Sequence, residues 1–170
     1  MTGALISKRA VLAGATTLTL SACSGGSKFR RYSGPQVTRI VLFKERRKMY
    51  LMHHNEVLKD YDFDLGFAPV GDKKIEGDGK TPEGSYRIDR RNPRSSFHLS
   101  LGIDYPNARD RAEAAALGEP PGGDIFIHGQ RRPGDPKGPD WTAGCIAVKN
   151  REMEVIYSMI DVGTRIDILA

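Results

Sequence analysis

The chain has two cysteines and one tryptophan among 170 residues. Two cysteines allow one disulfide at most, which excludes a disulfide-stapled scaffold. No apolar run approaches the roughly 20 residues that cross a bilayer. Charge of one sign is also scarce. The formal charge is +5, but Lys8 and Arg9 lie before residue 24 and no acid does, so 24 basic and 21 acidic side chains remain beyond it, a balance of +3. No block of five or more basic residues occurs, so the composition gives no footprint for nucleic acid. There is no internal repeat and no sign of a second domain. The length suits one domain with a hydrophobic core, and 39% apolar with 28% charged residues is ordinary for a soluble globular protein.

What is present begins with the N-terminus. Lys8 and Arg9 form a basic start, Ala10 to Leu20 an apolar run of about a dozen residues, and small residues follow up to Cys23. This is the layout of an export signal. Leu20-Ser21-Ala22-Cys23 resembles the bacterial lipobox, which implies a signal over residues 1–22, cleavage before Cys23, and lipidation of Cys23 as a membrane anchor. Residues 23–36 then serve as lipidated cysteine and tether, with Ser24-Gly25-Gly26-Ser27 as a flexible stretch. Ser24 beside the lipidated position resembles lipoproteins sorted to an outer membrane, so the expected location is the periplasm. On count alone a Cys23–Cys145 disulfide also stays open.

From Val37 the pattern is mainly strand. Val37 to Phe43, Lys48 to His53 and Val57 to Leu65 suggest an antiparallel meander with a polar turn at His54-Asn55-Glu56. Further strands are expected at Ser85 to Asp89, Phe97 to Ile103 and Thr164 to Leu169. Asn107 to Leu117 reads as a capped helix. Asn150 is expected to cap a second one over Arg151 to Ile160, with Met153, Ile156, Tyr157 and Ile160 on its inner face. The fold class is mainly β: one sandwich or barrel domain over residues 37–170 with two short helices.

The densest chemical signal is Asp124-Ile125-Phe126-Ile127-His128-Gly129, then a Pro/Gly-rich loop, then Asp140-Trp141-Thr142-Ala143-Gly144-Cys145. An apolar run ending in His-Gly delivers a histidine at a strand tip. A histidine within hydrogen-bond reach favours the thiolate and makes Cys145 a nucleophile. Gly144 lets the backbone approach closely, and the Gly144 and Cys145 amides are candidates for an oxyanion hole. A buried inert cysteine is the alternative.

His128-Gly129, the 17-position spacing to Cys145, and Thr142-Ala143-Gly144-Cys145-Ile146 resemble the signature of the L,D-transpeptidase (YkuD-type) family. Thr81-Pro82-Glu83-Gly84 and Gly163-Thr164-Arg165-Ile166 are similar to other parts of that family, so the likeness runs from about Thr38 to Ile168. It implies a cysteine acyltransferase acting on peptidoglycan stem peptides: Cys145 as nucleophile, His128 as base, the Gly129 carbonyl orienting the imidazole, and no metal or organic cofactor. The family usually has a histidine where Ala143 stands and an arginine where Ala147 stands. These departures bear on what accepts the acyl group. Transfer to an amine, to water (a carboxypeptidase or amidase), and retention of the fold as a non-catalytic peptidoglycan-binding lipoprotein are the alternatives.

His98, Tyr105, Arg132, Asp140 and Trp141 are candidate substrate contacts, with Arg131 beside Arg132 on the rim loop. Asp72 to Glu83 imitates a calcium loop, but Lys74 and Pro82 interrupt it. His53 and His54 read as exposed turn residues. No metal site is expected.

Overall fold

The computed structural model describes residue 1, residues 27–130 and residues 132–170. The signal and Cys23 therefore lie outside the described residues, as does Arg131. Three strands, β1 (Arg39–Phe43), β2 (Lys48–His53) and β3 (Glu56–Asp62), form the expected antiparallel meander. Alternation decides which way they face. Ile40 and Leu42 of β1 and Met49 and Leu51 of β2 are buried, while the residues between them look outward.

The third strand is an edge and mostly exposed, with Val57 open to solvent. The chain continues through β4 (Gly84–Asn92), β5 (Ser100–Ile103), α1 (Ala108–Ala116), β6 (Phe126–His128), β7 (Ile146–Ala147), α2 (Asn150–Met159) and β8 (Arg165–Leu169). The eight strands lie in the order β3-β2-β1-β8-β4-β5-β6-β7.

Two features curl this sheet into a half-barrel. The first half of β4 pairs with β8 and the second half with β5, with a register shift between Ile88 and Arg90. The segment after β3 then bridges to the opposite end of the sheet, Asp64 to Ala147 and Gly66 to Thr142. The core fills the curl, with Met153, Ile156 and Ile160 of the α2 segment against Leu101, Ile127, Ile146 and Ile166. Burying each such side chain contributes about 1.5–3 kcal/mol.

The first helix has its expected cap: Asn107 accepts from the Arg109 and Asp110 amides, and Asp110 accepts from the Asn107 amide. The second helix differs from expectation. Its N-cap is Lys149, whose N–H bonds to the Glu152 carboxylate at 3.0 Å. Asn150 is instead used sideways, accepting the Gln130 N–H at 2.9 Å. Ahead of β1, within the expected tether, residues 28–30 lie against the domain. Lys28 Nζ donates to the carbonyls of Pro93 (2.7 Å) and His98 (2.9 Å). Arg30 pairs with Glu154 at 2.7 Å. No described helix is long and apolar enough to cross a membrane.

Candidate active site

His128 is the last residue of β6, flanked by Ser100 of β5 and Ala147 of β7, and is buried. Its Nδ1 lies 2.7 Å from the Gly129 carbonyl. A carbonyl only accepts, so Nδ1 carries the proton and Nε2 presents its lone pair. Gly129 can do this because its backbone sits where no side chain fits. A Cβ there would lie 2.5 Å from both the Phe97 carbonyl and Asn150 Oδ1. The Gly129 N–H bonds to the Phe97 carbonyl at 3.0 Å. Phe97 also stacks its ring on the imidazole at 4.4 Å, and Trp141 meets the imidazole edge-on at 5.6 Å. The Arg132 guanidinium lies over the Phe97 ring at 4.3 Å.

Cys145 follows a tight turn organised by Thr142, whose Oγ1 donates to the Cys145 carbonyl (2.7 Å) and accepts the Gly144 N–H (3.1 Å). Gly144 has φ +129°, and a Cβ on it would lie 2.6 Å from the Lys80 carbonyl. Its own carbonyl accepts from Thr81 Oγ1 at 2.8 Å. Thr81 is in turn held by the buried ammonium of Lys44, which donates to the Thr81 and Gly71 carbonyls and to Glu83. The Cys145 thiol lies 3.4 Å from the Asp124 carbonyl. Cys145 and His128 line one cleft of about 300 Å³, together with Phe97, Ser100, Asp124 and Arg132.

Residues 37–168 match the YkuD family, the L,D-transpeptidase catalytic domain. The chain belongs to this family. The Escherichia coli (strain K12) protein named "Putative L,D-transpeptidase YafK" is 28% identical over 127 residues, 71% of this chain and 46% of that protein. The helical cell shape determining protein Pgp2 of Campylobacter jejuni is 26% identical with a TM-score of 0.60, over 81% of this chain and 49% of that one. Bd1075 of Bdellovibrio bacteriovorus is 26% identical with a TM-score of 0.57, over 79% and 48%. This chain thus spans about half the length of these relatives. Mycobacterium tuberculosis L,D-transpeptidase 1, at 13% identity, shares the fold.

In this YkuD domain the resting electrostatics differ from the sequence expectation. Burial holds the His128 imidazole below its ordinary range, partly opposed by its bond to Gly129. Burial pushes the Cys145 thiol up, partly opposed by the Phe126 N–H directed at the sulfur. Both directions favour the neutral thiol and the neutral imidazole over their charged forms. The oxyanion assignment also changes: the Gly144 amide is spent on Thr142. The Cys145 N–H has no acceptor among the described residues.

Of the candidate substrate contacts, Arg132 alone lines the cleft with Cys145 and His128. Asp140 is spent on the framework. Its carboxylate takes Arg47 Nη2 at 2.6 Å, Arg47 Nε at 3.2 Å and the Leu65 N–H at 2.9 Å. Tyr105 is buried and donates to the Pro121 carbonyl at 2.9 Å. His98 turns to Glu154, 3.0 Å from Nε2. Trp141 lines a second cavity of about 240 Å³ with Asp62, Asp64 and Ala147. Ala143 is exposed, and Ala147 is buried where its backbone pairs with Asp64.

Sequence reasoning missed Phe97, Asp124, Lys44 and the cleft wall at Asn92, Ser95 and Ser96. Of these, Phe97 lay at the start of an expected strand, Phe97 to Ile103; the strand itself begins at Ser100. The loop that imitates a calcium site ties up its own acids: Asp78 with Lys73 and three amides, and Asp72 with Lys74 and the Glu83 amide. No cluster able to hold a metal ion occurs among the described residues.

Proposed function

We propose that the chain is a lipid-anchored cysteine acyltransferase of the cell envelope, acting on peptidoglycan stem peptides and forming L,D cross-links. The observation that carries this is the pairing of Cys145 with His128 in one cleft, the imidazole fixed by Gly129 with Nε2 unprotonated. The names of YafK and of the cell-shape protein Pgp2 agree with it. Anchoring rests on the lipobox resemblance around Cys23.

The steps follow from the geometry. The stem-peptide carbonyl enters the cleft, and the Cys145 proton passes to His128 Nε2 as sulfur bonds to the carbonyl carbon. The oxygen becomes an anion facing the Cys145 N–H. The tetrahedral adduct then collapses. The C–N bond to D-alanine breaks, and the imidazolium returns its proton to the departing amine. The thioester is resolved by an acceptor amine, whose proton His128 takes and then returns to the Cys145 sulfur. The Gly129 carbonyl, fixed by its own N–H bond to Phe97, keeps the imidazole oriented throughout, a role that other triads give to an acid.

Water as acceptor is a second reading. It is favoured by Ala143 and Ala147, because neither residue of this turn offers a cation or a hydrogen bond to an acceptor carboxylate. The test is to incubate the domain with purified stem tetrapeptides, with and without an amine acceptor, and identify products by mass spectrometry. The reading expects D-alanine release that vanishes in Cys145→Ala, and a coupled product when the amine is present. Hydrolysed product alone selects the second reading. Absence of turnover, with wall binding unchanged in Cys145→Ala, would leave a non-catalytic tether.

A further inference from the structure

The wall of the cleft offers two charged side chains besides the reacting pair: Asp124 and Arg132. Asp124 is unusual in three ways. Its backbone is in the left-handed region, φ +54°, a conformation Asp tolerates better than most residues. Its carbonyl lies 3.4 Å from the Cys145 sulfur. Its carboxylate is 88% exposed, with Oδ1 at 2.8 Å from Arg90 Nη2 and Oδ2 accepting no hydrogen bond among the described residues. An anionic side chain on the wall of the same cleft works against a nucleophile that must itself become an anion. Its charge adds to the burial that pushes the thiol up. Arg132 stands on the rim, its guanidinium stacked on Phe97 and shared with Asp135 at 3.2 Å.

We propose that Asp124 and Arg132 form a receptor for a zwitterionic amino-acid head, the ammonium docking on Asp124 and the carboxylate on Arg132. A stem-peptide diamino acid carries such a head at the end of its side chain, so this inference deepens the acyl-transfer reading and rests on it for the identity of the ligand. Docking has a second effect. A cation on Asp124 cancels the anion beside Cys145, so the proton leaves sulfur for His128 more readily when the correct head is bound. The substrate's charge thereby helps to make its own nucleophile, and a peptide lacking the ammonium loses rate as well as affinity.

The test uses Asp124→Asn, which keeps a side chain that accepts the left-handed backbone and removes only the charge. In the free protein, iodoacetamide alkylation of Cys145 is followed against pH. The midpoint moves to lower pH in Asp124→Asn. Binding is measured by calorimetry on Cys145→Ala, with a stem tetrapeptide whose side-chain head is zwitterionic, N-acetylated or carboxyl-amidated. Either modification weakens binding at least about fivefold, as for a charge-assisted contact at a partly exposed site. The acetyl penalty disappears when Asp124→Asn is added, and the amide penalty when Arg132→Gln is added.

An unmoved alkylation midpoint, an acetyl penalty that survives Asp124→Asn, an amide penalty that survives Arg132→Gln, or no binding of the tetrapeptide would each overturn the proposal. Binding with the expected penalties but without turnover by the wild-type protein would sink the acyl-transfer reading and leave the receptor standing.

Discussion

Replacing Thr81 by valine swaps one hydroxyl for a methyl group of the same shape, at a fully buried position. The hydroxyl donates to the Gly144 carbonyl at 2.8 Å, the only bond that carbonyl makes among the described residues. Valine leaves that carbonyl buried and unpaired, which costs about 1–3 kcal/mol. For a domain of this size, that is a fall in Tm of about 3–12 °C by calorimetry. The effect on chemistry is larger than the effect on folding. Gly144 immediately precedes the nucleophile, and its φ of +129° makes the turn dependent on its braces. A displacement of about 1 Å at sulfur lowers kcat/KM about 100-fold. Calorimetry reports the first consequence, and D-alanine release with the rate of Cys145 alkylation reports the second. Thr81→Ser keeps the donor and restores most of both. A Thr81→Val protein with unchanged Tm and alkylation rate would refute the claim that this hydroxyl braces the nucleophile.

Three further outcomes are expected. Asp140→Ala removes the acceptor for Arg47 and the Leu65 N–H, so stability falls by about 1–3 kcal/mol while KM stays put; a raised KM at unchanged Tm would return Asp140 to the substrate. Phe97→Ala strips the stacked ring from His128, and NMR titration should show the imidazole pKa rising toward its ordinary value as burial is relieved. In the third, His128 and Cys145 make stability depend on pH at both ends. The His128 imidazole is held down in the folded state, so unfolded chains protonate first and stability drains as pH falls below 6.5. The Cys145 thiol is pushed up, so its share of stability is present below 9.0 and drains as pH rises beyond it. Denaturant melts of His128→Gln and Cys145→Ala should show the acid-side and alkaline-side losses reduced respectively.

That Cys145 and His128 meet in one cleft was legible because a strand that ends in His-Gly and a strand that follows Gly-Cys are local patterns. The β1–β3 meander and the inner face of α2 were legible for the same reason: periodicity is a local property. Long-range matters stayed hidden. Nothing near Lys44 signals that its ammonium is buried among three acceptors, because the acceptors come from Gly71, Thr81 and Glu83. The bond from the Gly144 amide to a threonine two residues earlier was not legible, because hydroxyl direction depends on the turn. Asn150 looked like a cap and proved to be a clamp on the segment after the histidine. Asp124 was unreadable in principle: its closeness to Cys145 depends on the curl that brings β6 beside β7.

Lys28 ties the segment ahead of β1 to both ends of the loop that runs from Pro93 to His98. That loop carries Phe97, the ring lying on the His128 imidazole. A pull applied N-terminal to Ser27 is therefore transmitted first through one ammonium and two carbonyls, and it reaches the floor of the histidine before it reaches any strand of the sheet.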